Sequence, residues 1–286
     1  MFFLGLLLKD IVDQKISKLI EDNTNLDSKE FGYPWMLCCL YHDSFSKFEK
    51  KQYQYNDLDD FGEKAEISYS IYNMNLPDNL KVSQFEPTYQ EETINRYFSY
   101  RLKKEKIDHG IVAGYLLFDR LVKNYLINRE QNGKKDDFET NNDHVLLWRK
   151  DQIWVFALAA DAVIVHNIWH IDNEKLTDEI RVGQPNEKKL KKSDNPLAFI
   201  CALTDVIEPV KRFDGQFSVL EVLENISIEY CKKLNQIEIR WNDLVKSKSA
   251  FCDWMKNIYS MPEWMNVNVI PCNRENEKCS LTIEVL

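Results

Sequence analysis

Histidine is scarce in this sequence, with five residues in a chain of 286. Cysteine is more frequent, but its seven residues are an odd number and contain no Cys-x-x-Cys pair. That spacing excludes a zinc ribbon or a thioredoxin-like redox motif and leaves reduced, mostly buried small side chains as the expectation. Basic excess is lacking as well, since the formal net charge is −9. A dedicated nucleic-acid surface is therefore excluded as the main purpose, although one basic cleft for a phosphate remains compatible with that charge. The apolar start, Met1 to Leu8, is far shorter than the ~20 residues of a membrane span. It also lacks the basic beginning and small-residue cleavage site of a signal peptide. A cytoplasmic protein with no membrane segment is expected, in which the sequon at Asn225 carries no sugar. There is no low-complexity tract and no internal repeat.

What the chain does contain is an ordinary globular composition, 44% apolar and 29% charged. Its length suits one large domain, or a domain with a small appendage. Leu4, Leu7, Leu8, Ile11, Ile16 and Ile20 form a helical stripe, which predicts one core helix running through Ile20. Pro34 stands at a plausible first helical position, and a buried helix is expected over 35–48 with His42 and Asp43 inside it. A polar insert of about 51–91, read as a lid or partner surface, and another of about 129–150 interrupt the pattern. Asp108 is placed to cap a strong helix over 108–128, in which Gly110 and Gly114 lie four apart and admit a close neighbour. Residues 151–169 are apolar nearly all round, as a central core helix is. Asn195 and Pro196 open a helix that runs to Ile207 and stops near Pro209.

Beyond Gly215 the period changes. Residues 226–230, 237–241, 267–270 and 281–285 alternate apolar and polar, with a helical stretch over 250–259 between the two pairs. The expected architecture is mostly α: a helical domain over 1–214, then a small ββαββ-type α+β module over 215–286.

Three histidines fall on these apolar elements, each with an acid beside or after it: His42-Asp43, Asp108-His109 and His166, with Asp205 on a further helix. Imidazoles and carboxylates on rigid elements are what a divalent metal site needs. Neighbouring helical residues point about 100° apart, so His42 and Asp43 share an ion only if it lies between their directions. Each residue also has a plainer reading. His42 could be a core histidine donating to a backbone carbonyl, and Asp108-His109 a simple cap. His170 shares a helical face with His166 and competes with it as the ligand. His144, beside Asp143, reads as solvent-exposed. Asp205 is a carboxylate near a helix C-terminus, where the dipole disfavours it, and that calls for a basic partner such as Arg212. Lys211-Arg212 could be an ordinary solvated pair.

The order of these pieces adds to their weight. Tyr41-His42-Asp43 through Lys50 resembles the signature segment of the HD-domain metal-dependent phosphohydrolase superfamily. Asp108-His109-Gly110, the segment 162–167 and Pro196 to Asp205 are similar to its later core helices. Glu208-Pro209-Val210-Lys211-Arg212-Phe213 looks like the tail of members acting on nucleoside polyphosphates. The resemblance covers roughly residues 1–214. It implies an HD-domain helical bundle in which His42, Asp43 and Asp205 hold a primary metal. His109 and His166 would hold a second ion, with Asp43 bridging the two and Asp43 and His109 serving catalysis. Lys211 or Arg212 would pair with substrate phosphate. One or two divalent ions (Mn, Fe, Ni, Co or Mg) are implied, with a phosphorylated small molecule or nucleotide as partner. Two departures stand out: residues 1–41 carry no histidine where the family has one, and Lys47 lies one residue late for the family's lysine. These departures favour, as the alternative, a degenerate HD domain that binds or scaffolds without catalysis. An iron-dependent oxygenase, which shares the ligand order, is a third reading.

Overall fold

A computed structural model describes residues 1–26, 30–44, 85, 87–88, 94, 97, 101, 108–131, 152–167, 189–271 and 279–286. The chain is mostly helical, with one small antiparallel sheet near its C-terminal end. Its helices are α1 (Phe2–Leu8), α2 (Asp13–Asn23), α3 (Gly32–Tyr41), α4 (His109–Gln131) and α5 (Gln152–Val165). They continue with α6 (Pro196–Ile207), α7 (Pro209–Arg212), α8 (Val219–Asn225), α9 (Asp243–Lys246) and α10 (Ala250–Trp264). The strands are β1 (Ile226–Cys231), β2 (Gln236–Trp241), β3 (Val267–Ile270) and β4 (Cys279–Val285). Packing divides the chain into two compact units, one of residues 1–15 with 187–286, the other of residues 16–186. No helix among the described residues is long and apolar enough to cross a membrane.

In the unit of residues 16–186, α5 is buried at every position from Ile153 to Val165. Its neighbours are α3 and α4. The approach of α4 depends on two glycines. A Cβ on Gly110 would lie 2.8 Å from His166 Cε1 and 2.9 Å from the Val163 carbonyl oxygen. One on Gly114 would meet the Ala160 carbonyl at 2.6 Å. The four-residue spacing thus does what the sequence predicts, and removing two side chains lets the backbones close. On the other side Cys38 Sγ donates to the Ala159 carbonyl at 3.6 Å. Phe31 stacks on Trp35, and Tyr33 tilts against Phe156.

The unit of residues 1–15 and 187–286 packs α1 and α10 against α6, with β3 also against α10. Its sheet order is β1-β2-β4-β3, antiparallel throughout. Ile237 pairs with Ile283 and Ile239 with Leu281, so the buried residues of adjacent strands share one face. Phe213, Trp241, Phe251 and Trp254 pack together beneath it. Asn235 takes a left-handed φ of 53° in the β1–β2 turn, where its backbone oxygen accepts from the Val285 N–H. The ββαββ order of this region is the one its alternating pattern predicts.

Several boundaries differ from the sequence expectation. The N-terminal stripe is not one helix: a 3-10 turn at Lys9–Ile11 and a φ of −130° at Val12 part α1 from α2. Leu7 is consequently exposed while Val12 is buried. The third helix starts at Gly32 and ends at Tyr41. His42 and Asp43 therefore follow it rather than lie inside it, and the expected stretch 45–48 lies outside the described residues. Pro34 is the third helical residue, where its missing N–H would still have had no intrahelical partner. Helix α4 continues through Gln131, past the predicted start of the second insert, and α10 runs on to Trp264 through Pro262. Apart from Phe85, Pro87 and Thr88, the first insert lies outside the described residues. So does the second beyond Gln131, with His144 and His170. Among the described cysteines Cys38 and Cys201 are buried, but Cys231 and Cys252 are exposed, contrary to the expectation of mostly buried thiols. Cys231 ends an outer strand on its solvent-facing side, and Cys252 sits on the exposed side of α10.

Candidate metal centre

Three of the histidines singled out in the sequence come together at the ends of helices in the unit of residues 16–186. Each is placed by a local device. His42 caps the C-terminus of α3, its N–H donating to the Cys38 carbonyl. His109 is the first residue of α4, held there because Asp108 Oδ1 accepts from the Ile111 N–H at 2.9 Å. His166 follows the last residue of α5, above the space left by Gly110. All three histidines are buried where these helix ends meet.

His42 Nδ1 lies 3.1 Å from the Cys39 carbonyl, and His166 Nδ1 lies 2.6 Å from the Val163 carbonyl. A carbonyl oxygen only accepts, so each Nδ1 carries a proton, and in a neutral ring Nε2 then holds the lone pair. This is the orientation that metal-ligating histidines adopt, with a backbone carbonyl fixing the tautomer from behind. Asp43 Oδ2 lies 3.1 Å from His42 Nε2, and its Oδ1 lies 3.4 Å from His109 Nε2. A carboxylate oxygen facing an imidazole lone pair is unfavourable unless a proton or a metal ion stands between them.

The ring spacing agrees with coordination. His166 has its centroid 5.8 Å from that of His42 and 5.4 Å from that of His109, edge-on to both. An imidazole bound at about 2.0–2.1 Å has its centroid roughly 3.2 Å from the ion, so two rings at a tetrahedral angle sit about 5.2 Å apart. His42 and Asp43 offer an imidazole and a carboxylate 3.1 Å apart, with His109 and His166 beside them, residue types that suit a divalent transition ion. Their chemistry fits the group that the sequence resemblance implies.

Asn167 and Tyr97 also belong to the surroundings, and the sequence pattern does not single them out as site residues. Asn167 Nδ2 is 2.7 Å from His109 Nε2 and 3.2 Å from its Nδ1, so the amide lies against the ring. Tyr97 donates its hydroxyl to the Asn167 carbonyl at 3.2 Å, close to Asp108 Oδ2. Asn167 carries a faint signal, being next to His166; Tyr97 lies in a polar stretch with none. Asp161, a single acid in the apolar run of α5, is buried and serves another purpose. Its carboxylate accepts from the N–H and hydroxyl of Thr88.

Asp205, Lys211 and Arg212 belong to the other unit. Asp205 lies in the last turn of α6 and is buried, and it finds the basic partner its position calls for. Lys211 Nζ is 3.3 Å from its Oδ1, Arg212 Nη2 is 3.6 Å from its Oδ2, and the same Nη2 donates to the Asp205 carbonyl at 3.0 Å. Glu208 fixes this turn by accepting from the N–H groups of Val210 and Lys211. Lys211 and Arg212 are thus not merely solvated, because both engage a buried carboxylate.

No protein-family model, no curated protein and no solved structure matches this chain.

Proposed function

We propose that the chain is a metal-dependent phosphohydrolase of the HD-domain type, acting on a phosphoester or phosphoanhydride, with nucleotides as the first substrate class to test. The observation that carries this reading is the pair of Nδ1-to-carbonyl locks on His42 and His166, with Asp43 set against His42 and His109. In this proposal His42, Asp43, His109 and His166 hold the ion; Asp205 joins the ligand set on the strength of the sequence resemblance alone. A divalent ion (Mn, Fe, Ni, Co or Mg) supplies Lewis acidity toward a phosphoryl oxygen and makes water a stronger acid. Asp43 and His109, within reach of each other, would share the ion and orient the reacting group. Gly110 and the Asp108 cap keep His166 and His109 from turning away. Lys211 and Arg212 neutralise phosphate charge, the guanidinium offering a planar fork for two oxygens.

The test is metal content by elemental analysis after growth with manganese, iron or nickel, then phosphate release across a nucleotide panel. At least one ion per chain and turnover lost in His42→Ala are expected. A wild-type chain that takes up no metal sinks the reading. One observation favours a second reading, a binding module of the same type without catalysis: Lys211 and Arg212 are committed to Asp205. Metal uptake with no phosphate release from any substrate would decide for it.

A further inference from the structure

Asp205 sits where a lone carboxylate is poorly tolerated. It is buried, and it occupies the C-terminal turn of α6, whose dipole opposes negative charge. Lys211 and Arg212 compensate for it from the capped turn of α7. Arg212 is not saturated by that task. Its Nε is buried and has no acceptor among the described residues, although Nη2 is engaged twice around Asp205. A buried guanidinium N–H without an acceptor is costly, and an oxyanion is what its geometry fits. The same two bases therefore have two competing claims on them, the internal carboxylate and an external anion.

We propose that Asp205 is an exchange latch on Lys211 and Arg212. While the carboxylate keeps its full charge it holds both bases; when a cation neutralises it, its hold weakens in favour of an anion such as phosphate. This rests on the proposed metal-dependent function for the identity of the cation, but the latch itself is internal to residues 205–212. Linkage makes it reciprocal: whatever weakens the carboxylate's hold tightens phosphate binding, and removing the bases tightens cation binding. The device would keep the phosphate subsite weak until the metal is in place, so that phosphate is not captured by an unloaded protein.

The deciding measurement uses metal-free full-length protein and inorganic phosphate, titrated calorimetrically in the presence of a chelator. Asp205→Asn keeps the shape of the side chain and removes its charge, and it should bind phosphate at least about fivefold more tightly than wild type. Adding Arg212→Gln to that variant should abolish the gain. Equal or weaker phosphate binding by folded Asp205→Asn, with folding checked by circular dichroism, would overturn the latch. If that variant does not fold, Lys211→Gln/Arg212→Gln carries the test through Mn²⁺ alone: tighter Mn²⁺ binding than wild type supports the latch, and unchanged or weaker binding overturns it. Failure of the metal reading is separable, because wild type would then bind no Mn²⁺ while the phosphate comparison still gives its answer.

Discussion

Single residues carry the chemistry of this site through their tautomers and their neighbours. His166→Ala removes one imidazole, with its bond to the Val163 carbonyl, from just beyond the last residue of α5. It should lower metal content or affinity at least tenfold with the fold intact, measured by calorimetry alongside thermal unfolding. That His42, His109 and His166 were worth comparing was legible in the sequence from the order of their apolar segments, since a His-Asp pair alone is common. The tautomer was not legible, since it depends on carbonyls three residues earlier at helix ends whose limits the sequence placed wrongly. A histidine bonded to a backbone carbonyl, the plainer expectation for His42, proved compatible with a ligand, because Nδ1 makes that bond and Nε2 remains for an ion. Tyr33 offers a second test at this scale. Burial pushes its phenol up to about 12. Its contribution to stability is therefore complete below the unfolded value of about 10 and is lost as pH rises through about 12. Denaturant midpoints across that window should fall more for wild type than for Tyr33→Phe.

At the scale of elements, the fold rests on devices that can be removed one at a time. Gly110→Ala places a methyl against His166 and the Val163 carbonyl. Overpacking of this kind costs about 1–3 kcal/mol. The substitution should lower the thermal midpoint and weaken metal binding together, whereas a surface substitution on α4 should do neither. Asn195→Ala removes the cap that accepts from the Ala198 N–H and should cost about 1 kcal/mol by urea unfolding, with no effect on metal uptake by residues 16–186. Caps and glycine spacing were legible because they act over three or four residues. Asn195-Pro196, Asp108 and the Gly110/Gly114 pair were all read correctly. Helix ends without such a signal were not: nothing in the sequence 41–44 announces that α3 stops, and nothing at Lys9 announces a 3-10 turn. The anchoring of Thr88 by Asp161 was also invisible, because it joins residues far apart in the chain.

For the molecule as a whole, the sequence showed the change from helical to alternating period, and with it the ββαββ order. It did not show that residues 1–15 pack with residues 187–286, since amphipathicity names a buried face without naming its partner. Leu8 is fully buried in that unit. Leu8→Ala should cost about 2–5 kcal/mol. Hydrogen exchange should show the loss of protection in α6 and α10, with α4 and α5 spared; equal loss in both units would contradict the division. The same division has a consequence for biosynthesis. Helix α1 leaves the ribosome well before the chain it packs against, which begins roughly 170 residues later, a delay of roughly 10–35 s at ordinary elongation rates. Throughout that interval the Phe-Phe-Leu-Gly-Leu-Leu-Leu segment is nascent apolar chain waiting for its partner, the kind of sequence that chaperones at the exit tunnel hold.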